Sequence, residues 1–395
     1  MTAPALRTAR MDRLETLALS VLLCFVAALQ LSVAASGVLL ALTLLCWVAL
    51  IGLRHERIEV PTFFWPLAVY AVVTLLSTTA SVNPAVSLVD SKQLVLFLIV
   101  PLVYRLARGQ RAHTFASVII TVGAASALVG LFQYGFLHFD NLGRRPQGAL
   151  THYMTYSGAL MIVACVGAAR LLFGNRDRIW PMLVLPAVLL ALGLTFTRSA
   201  WVGVCLGMAV LLALRDRRLV AAVPIALAVA VVLAPPSITD RVYSIFDLQD
   251  PTNRDRLAML KSGAAMVEDH PLTGVGPDQV KTVYAKYRVP ESVQPLNVHL
   301  HNVPMQIAAE RGLPALLVWI WFVIAVARDL YRRLGSRSAA TRSLAAGALA
   351  ALAAMLGAGL FEYNFGDSEF LMLLLVVLTL PFAAERSESV LPRHP

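Results

Sequence analysis

The sequence predicts an all-α polytopic membrane protein of about twelve transmembrane helices, with one large loop on a single side of the bilayer. Three observations predict it. Hydrophobic residues make up 58% of the chain and charged residues only 14%, well below the roughly 25% usual for soluble domains. The apolar residues fall in separated blocks, most of them long enough to carry a helix across about 30 Å of hydrocarbon. Arginine collects in every second short connection, which marks the loops held on the cytoplasmic side.

In order, the apolar blocks cover residues 14–34, 36–53, 62–80, 93–104, 115–136, 153–169, 179–196, 199–214, 219–235, 312–327, 343–361 and 368–384. The first follows Arg7, Arg10 and Arg13 in the manner of a signal peptide, but its length and the span close behind it mark it as retained. The Arg-rich connections are Arg54 with Arg57; Arg105, Arg108 and Arg111; Arg170, Arg176 and Arg178; Arg215, Arg217 and Arg218; and Arg328, Arg332, Arg333, Arg337 and Arg342. With Arg386 and Arg393 beyond the last span, this pattern places both termini in the cytoplasm. The net charge of +10 is therefore a topology signal and points to no nucleic-acid partner. The chain divides into nine spans over 1–235, a large loop over 236–311, and three spans with a tail over 312–395.

Several classes of chemistry lack their usual anchors. Cys24, Cys46, Cys165 and Cys205 all fall inside spans, so the loops hold no disulfide. No CxxC, HExxH, P-loop or helix-opening GxGxxG occurs, and neither a cofactor nor a metal is expected. The spans are almost free of charge and show no internal repeat, unlike transporters built from inverted halves with ionisable groups at the midplane.

The large loop breaks the hydrophobic rhythm with Pro, Gly, Asp and Tyr, and long ordered loops usually carry function. Residues 256–268 read as a helix stopped by the turn Gly274, Val275, Gly276, Pro277. A second helix is expected from about His301 through Gly312 into the tenth span.

Eight arginines depart from the cytoplasmic pattern and face the other side: Arg144, Arg145, Arg198, Arg241, Arg254, Arg256, Arg288 and Arg311. A guanidinium grips phosphate oxygens through two donors and stays charged, so such a set at a membrane surface suits a lipid-linked phosphate or pyrophosphate. The same arginines can instead pair with Asp240, Asp247, Asp250, Asp255, Glu268 and Asp269 or with lipid headgroups. Arg198 sits in the tight turn Thr197-Arg198-Ser199-Ala200-Trp201, where it either serves a site or snorkels beside Trp201. His299 and His301 flank Leu300 just before a span, where an imidazole can take a proton from a hydroxyl or act as a structural hydrogen-bonding group. No third and fourth donor at short spacing makes them a zinc site. Glu362, Asp367 and Glu369, between the last two spans, suit general acid/base work or helix capping.

Several segments, in this order, resemble the O-antigen ligase and O-antigen polymerase superfamily of membrane glycosyltransferases. They are Thr197 to Trp201; Asp240-Arg241; Asn253 to Arg256; Asp269-His270-Pro271-Leu272-Thr273-Gly274-Val275-Gly276; His301-Asn302; and Glu310-Arg311-Gly312. Gly143-Arg144-Arg145-Pro146-Gln147-Gly148 is similar to a further family segment. The resemblance implies a GT-C-like fold in the bacterial inner membrane with the loop and active site in the periplasm. It implies transfer of a glycan from undecaprenyl pyrophosphate to a sugar hydroxyl of lipid A-core, in lipopolysaccharide biosynthesis, by a monomer among membrane lipids. His301 matches the family's loop histidine and is the expected base. Arg198 and Arg256 are the expected ligands of the pyrophosphate, with Arg145 and Arg288 behind them and Arg144 and Arg241 adjoining. With arginines neutralising the leaving group, no metal is expected, and with no separate nucleophile, inversion is. An O-antigen polymerase and a protein O-glycosyltransferase share this donor chemistry, and a twelve-span lipid or glycan transporter shares the hydropathy.

Overall fold

The computed structural model describes residues 3–175 and 177–386, with side chains from Met11 onward. Arg176 and Arg393, counted in the charge pattern, lie outside the described residues, as do the side chains of Arg7 and Arg10. The described residues form helices and no strand: α1 (Ala3–Ala28), α2 (Val33–Arg54), α3 (Phe64–Thr79), α4 (Pro84–Asp90), α5 (Ile99–Leu106), α6 (Arg111–Leu137), α7 (Tyr153–Phe173), α8 (Ile179–Gly193), α9 (Arg198–Arg215), α10 (Ala222–Leu233), α11 (Pro236–Tyr243), α12 (Pro251–Asp269), α13 (Val280–Tyr287), α14 (Val303–Arg333), α15 (Ala339–Gly359) and α16 (Ser368–Ala384). Seven helical segments are long and apolar enough to cross a membrane, counting α4 to α5 as one, and α3, α8 and α16 are shorter apolar helices. The chain is thus an all-helical, multi-pass membrane protein.

Local chemistry sets where the helices begin and end. The fourth segment starts nine residues earlier than its apolar block because Asn83 caps it, accepting from the Val86 N–H, and Pro84 supplies a preset φ at its first position. A 3-10 turn over Ser91–Leu98 joins α4 to α5. α1 ends at Ala28, short of the expected 34, since the next residues turn into Ser32, whose hydroxyl caps α2.

α15 is the centre of the bundle. Its run of alanines and glycines lets α7 and α9 approach closely. A Cβ added to Gly203 or Gly207 of α9 would come within 2.7 Å of the Ala354 carbonyl or 2.9 Å of the Ala350 carbonyl. α16 is buried along nearly its whole length beside it. Ion pairs then tie several helix ends into one face: Arg54 with Glu15 and Asp12, Arg105 with Glu56 at 2.6 Å, Arg333 with Glu385 at 3.0 Å, and Arg386 with Glu59. The arginine-rich connections 54–57 and 105–111 and the ends of α14 and α16 therefore share the face that carries the start of α1.

At the opposite end, α12, α13 and the first part of α14 form a module with a small core of its own, including Met259, Met266, Val275, Tyr284 and Leu300. The helix expected over 256–268 spans Pro251–Asp269. The expected second helix begins at Val303 and is broken at Gly312, whose φ of 79° and ψ of 170° are not helical. The break leaves the Ala309 and Glu310 carbonyls without their usual i+4 partners. Leu313 N–H turns to the Pro271 carbonyl instead, and Pro314 has no N–H. Val275 and Gly276 donate to the two vacated carbonyls at 2.8 and 2.9 Å. Gly274 is required at this crossing: its φ is 65°, and a Cβ there would sit 2.3 Å from the Glu310 carbonyl carbon. Ser77 and Ser87 fasten the strap to the bundle through the Thr273 and Pro277 carbonyls, at 2.6 and 2.7 Å.

Candidate active site

The break in α14 and the two ends of the module decide where the polar side chains fall. Of the eight arginines singled out, four converge. Arg145 lies in the 138–152 connection, Arg198 opens α9, Arg241 closes α11 and Arg256 lies in the second turn of α12. The charges of Arg198, Arg145 and Arg256 all act on Arg241, and Arg198 acts on both Arg145 and Arg256.

Arg198 is the only one of the four with an ion pair among the described residues, to Asp250 at 3.3 Å. Its other terminal nitrogen donates to the Ser244 carbonyl at 2.8 Å and to the Ser244 hydroxyl at 3.0 Å. Asp250 also caps α12, accepting from the Thr252 and Asn253 N–H groups, and Asn253 donates back to the Ser244 and Asp247 carbonyls. Arg198 thereby locks the module onto α9, and Trp201 bonds the Leu192 carbonyl instead of supporting it.

The other three lack such compensation. Arg145 stacks on the Tyr153 ring at 4.3 Å and donates from Nε to the Leu142 carbonyl. The Nε of Arg241 is buried without a partner. Burial, then the charges of Arg198 and Arg145, bring the Arg241 guanidinium down to about 10. Burial also lowers Arg256, against the opposing pull of Glu362, and lowers Arg145. A set of cations that depress one another is electrostatically unsatisfied, which is the condition an anion relieves.

The remaining arginines stand apart. Arg144 is exposed over the Phe139 ring, at 4.3 Å. Arg288 donates to the Ser292 carbonyl at 3.1 Å and braces the loop that follows α13. Arg254 is exposed, whereas Arg256, two residues on, turns inward. Arg311 is a buried strut, held by Glu310 at 2.8 Å, Asp90 at 3.5 Å and the Tyr363 hydroxyl at 3.3 Å.

Next to Arg256 lies Glu362, whose pairing with the two histidines spacing along the chain did not reveal. Glu362, in the connection between α15 and α16, accepts at Oε2 from His301 Nδ1 at 3.0 Å and lies 3.5 Å at Oε1 from His299 Nε2. The imidazoles are 4.3 Å apart, centroid to centroid. Burial would raise the Glu362 carboxyl, but hydrogen bonds from both histidines hold it far below the usual carboxylate range. It is therefore an ionised acceptor, Nδ1 of His301 carries the proton, and Nε2 is the nitrogen left to accept one. His301 has a φ of 49°, a left-handed conformation that histidine tolerates better than most side chains. Sequence reasoning missed Glu362 as a partner because it lies 61 positions from His301. The only signal was a carboxylate next to a span end.

A cavity of about 410 Å³ opens beside this group. Its wall includes His299 and Glu362, Thr197 and Ser199 on either side of Arg198, and His152 at the start of α7. Asp90, Asp278 and Glu310 line it as well. None of the four converging arginines lines this cavity, nor does His301; the imidazole that faces it beside Glu362 is that of His299.

Fold and site together define a multi-pass helical membrane protein that gathers unpaired arginines beside a histidine–carboxylate pair at one membrane face. Residues 183–320 match the family model described as O-antigen ligase. The matched region runs from α8 into α14 and contains Arg198, Arg241, Arg256 and His301, while Arg145 and Glu362 lie outside it. No curated protein matches the chain.

Proposed function

We propose that this protein is an O-antigen ligase. In this reading it spans the bacterial inner membrane twelve times, with both termini cytoplasmic and the 236–311 module in the periplasm. It moves a glycan from undecaprenyl pyrophosphate to a sugar hydroxyl of lipid A-core. The observation that carries the reading is the convergence of Arg145, Arg198, Arg241 and Arg256, three of them without a carboxylate partner, beside the His301–Glu362 pair. Fixed cations at the outer leaflet suit a diphosphate whose charge grows as the glycosidic bond breaks.

The acceptor oxygen attacks the anomeric carbon as its proton passes to His301 Nε2. The bond from that carbon to the diphosphate oxygen breaks, and its electron pair leaves with undecaprenyl pyrophosphate. Direct displacement inverts the anomeric centre. Glu362 positions the base: by accepting from Nδ1 it fixes the tautomer and stabilises the imidazolium that forms. The arginines supply the charge that a metal provides in many soluble glycosyltransferases.

Reconstitution of the purified protein with lipid-linked glycan and lipid A-core tests this. The expected result is product without added metal or nucleotide, lost in His301→Ala and Arg256→Ala. Transfer only onto a second lipid-linked repeat would identify a polymerase instead. Ion-gradient-dependent movement of glycan without bond formation would identify a transporter.

A further inference from the structure

We propose that His299, His301 and Glu362 form a binding site for a divalent transition-metal ion of the zinc class, and that filling it switches off the imidazole of His301. The three donor atoms, Nε2 of His299, Nδ1 of His301 and a carboxylate oxygen of Glu362, all lie within 4.8 Å of one another. A tetrahedral ion with bonds of about 2.0 to 2.1 Å sets its ligand atoms about 3.3 to 3.4 Å apart. The observed gaps of 3.0 Å and 3.5 Å to the two Glu362 oxygens lie on either side of that spacing, so an ion enters with small rotations of the rings. Glu362 is half-buried in the connection that follows α15, and His301, which reaches it, has a left-handed backbone.

Two imidazoles and one carboxylate select against magnesium and calcium, which take oxygen donors, and favour zinc, cobalt or nickel. His299 and Glu362 both face the 410 Å³ cavity, which leaves a fourth position open to water or a substrate oxygen. The neighbouring Arg256 charge, felt at Glu362, opposes a cation and places the affinity below that of closed structural zinc sites.

The switch rests on the catalytic reading above; the metal site does not. A metal on Nδ1 takes the place of the proton there, and the neutral ring must then carry its proton on Nε2. That nitrogen can no longer accept one from a hydroxyl. The metal and the base function therefore exclude each other on the same ring, and release of the ion restores activity.

Tag-free, chelator-treated full-length protein in detergent is titrated with Co2+ and followed by visible d–d absorption, with Zn2+ as the displacing ion. The expected result is one Co2+ per chain with tetrahedral bands, displaced by Zn2+, and at least a tenfold weaker affinity in His299→Gln and in Glu362→Gln. Glycan transfer by the wild-type protein should fall as Zn2+ fills the site and recover with chelator. The half-inhibiting Zn2+ concentration of His299→Gln, referred to its own metal-free rate, should rise in step with its loss of Co2+ affinity. Because the wild-type titration needs no variant, misfolding of either substitution leaves the proposal testable. Absence of stoichiometric Co2+ bands in the wild type would overturn the site while leaving the transfer reaction untouched. Binding without inhibition would overturn the switch and, with it, Nε2 of His301 as the base.

Discussion

Replacing Arg241 with glutamine should stabilise the free protein while weakening its hold on a diphosphate. The guanidinium is partly buried, its Nε has no partner, and Arg198, Arg145 and Arg256 all repel it. The fall from its ordinary value of 12.5 to about 10 corresponds to on the order of 3 kcal/mol of unfavourable interaction. Solvent reaches part of the side chain and screens it, so about 1 kcal/mol of stability is expected back on neutralisation. In a chain of this size that raises the melting temperature by roughly 1–2 °C. With an anion bound the sign reverses. A hydrogen bond to a charged group contributes about 1.5–3 kcal/mol, so its loss weakens affinity roughly 10- to 150-fold. Tryptophan fluorescence of the detergent-solubilised protein, heated across a series of pyrophosphate concentrations at constant ionic strength, reads both quantities at once. A lower melting temperature for the free variant, together with an unchanged pyrophosphate-induced rise, would show that Arg241 is a structural cation and takes no part in holding diphosphate.

Four further outcomes are expected. His301→Ala should lower the turnover number about 10²- to 10⁴-fold in the reconstituted transfer assay, and full turnover would remove it as the base. Glu362→Gln keeps the side-chain shape but loses the charge that stabilises the imidazolium; turnover should fall while the pyrophosphate-induced melting shift stays intact, and loss of that shift would point to collapse of the loop. Gly312→Ala forces a left-handed residue to carry a Cβ 2.3 Å from the Leu272 carbonyl oxygen, so the strap should detach and the yield of folded protein drop sharply on size exclusion; normal yield and melting would show that the crossing tolerates a side chain. Gly203→Leu should separate α9 from α15 and lower the melting temperature by several degrees, measured as above, with no rescue by pyrophosphate.

The helices were legible because their signal is local. A run of apolar residues names its own solvent, but the capped starts after Ser32, Asn83 and Asp250 lie 3, 9 and 5 residues before the expected ones, because a polar cap adds nothing to an apolar run. The module helix over Pro251–Asp269 was legible by the same local signal. The break at Gly312 was not, because a Gly-Leu-Pro run inside an otherwise helical stretch gives no indication of which backbone will take up the vacated carbonyls. Here it is the 274–276 strap, some 35 residues earlier in the chain.

By itself, the sequence determined that this chain is a multi-pass membrane protein and marked its arginines and two histidines as candidate site residues, since both follow from residue type and spacing alone. Only the tertiary structure separated the arginines from one another. It tied Arg311 to Glu310 and Asp90, and Arg198 to Asp250 and Ser244, and left Arg145, Arg241 and Arg256 without an ion pair among the described residues. It also delivered Glu362 to His301 across the bundle. Whether a charge is satisfied depends on distance in space, and chain separation does not encode that distance until the helices have packed.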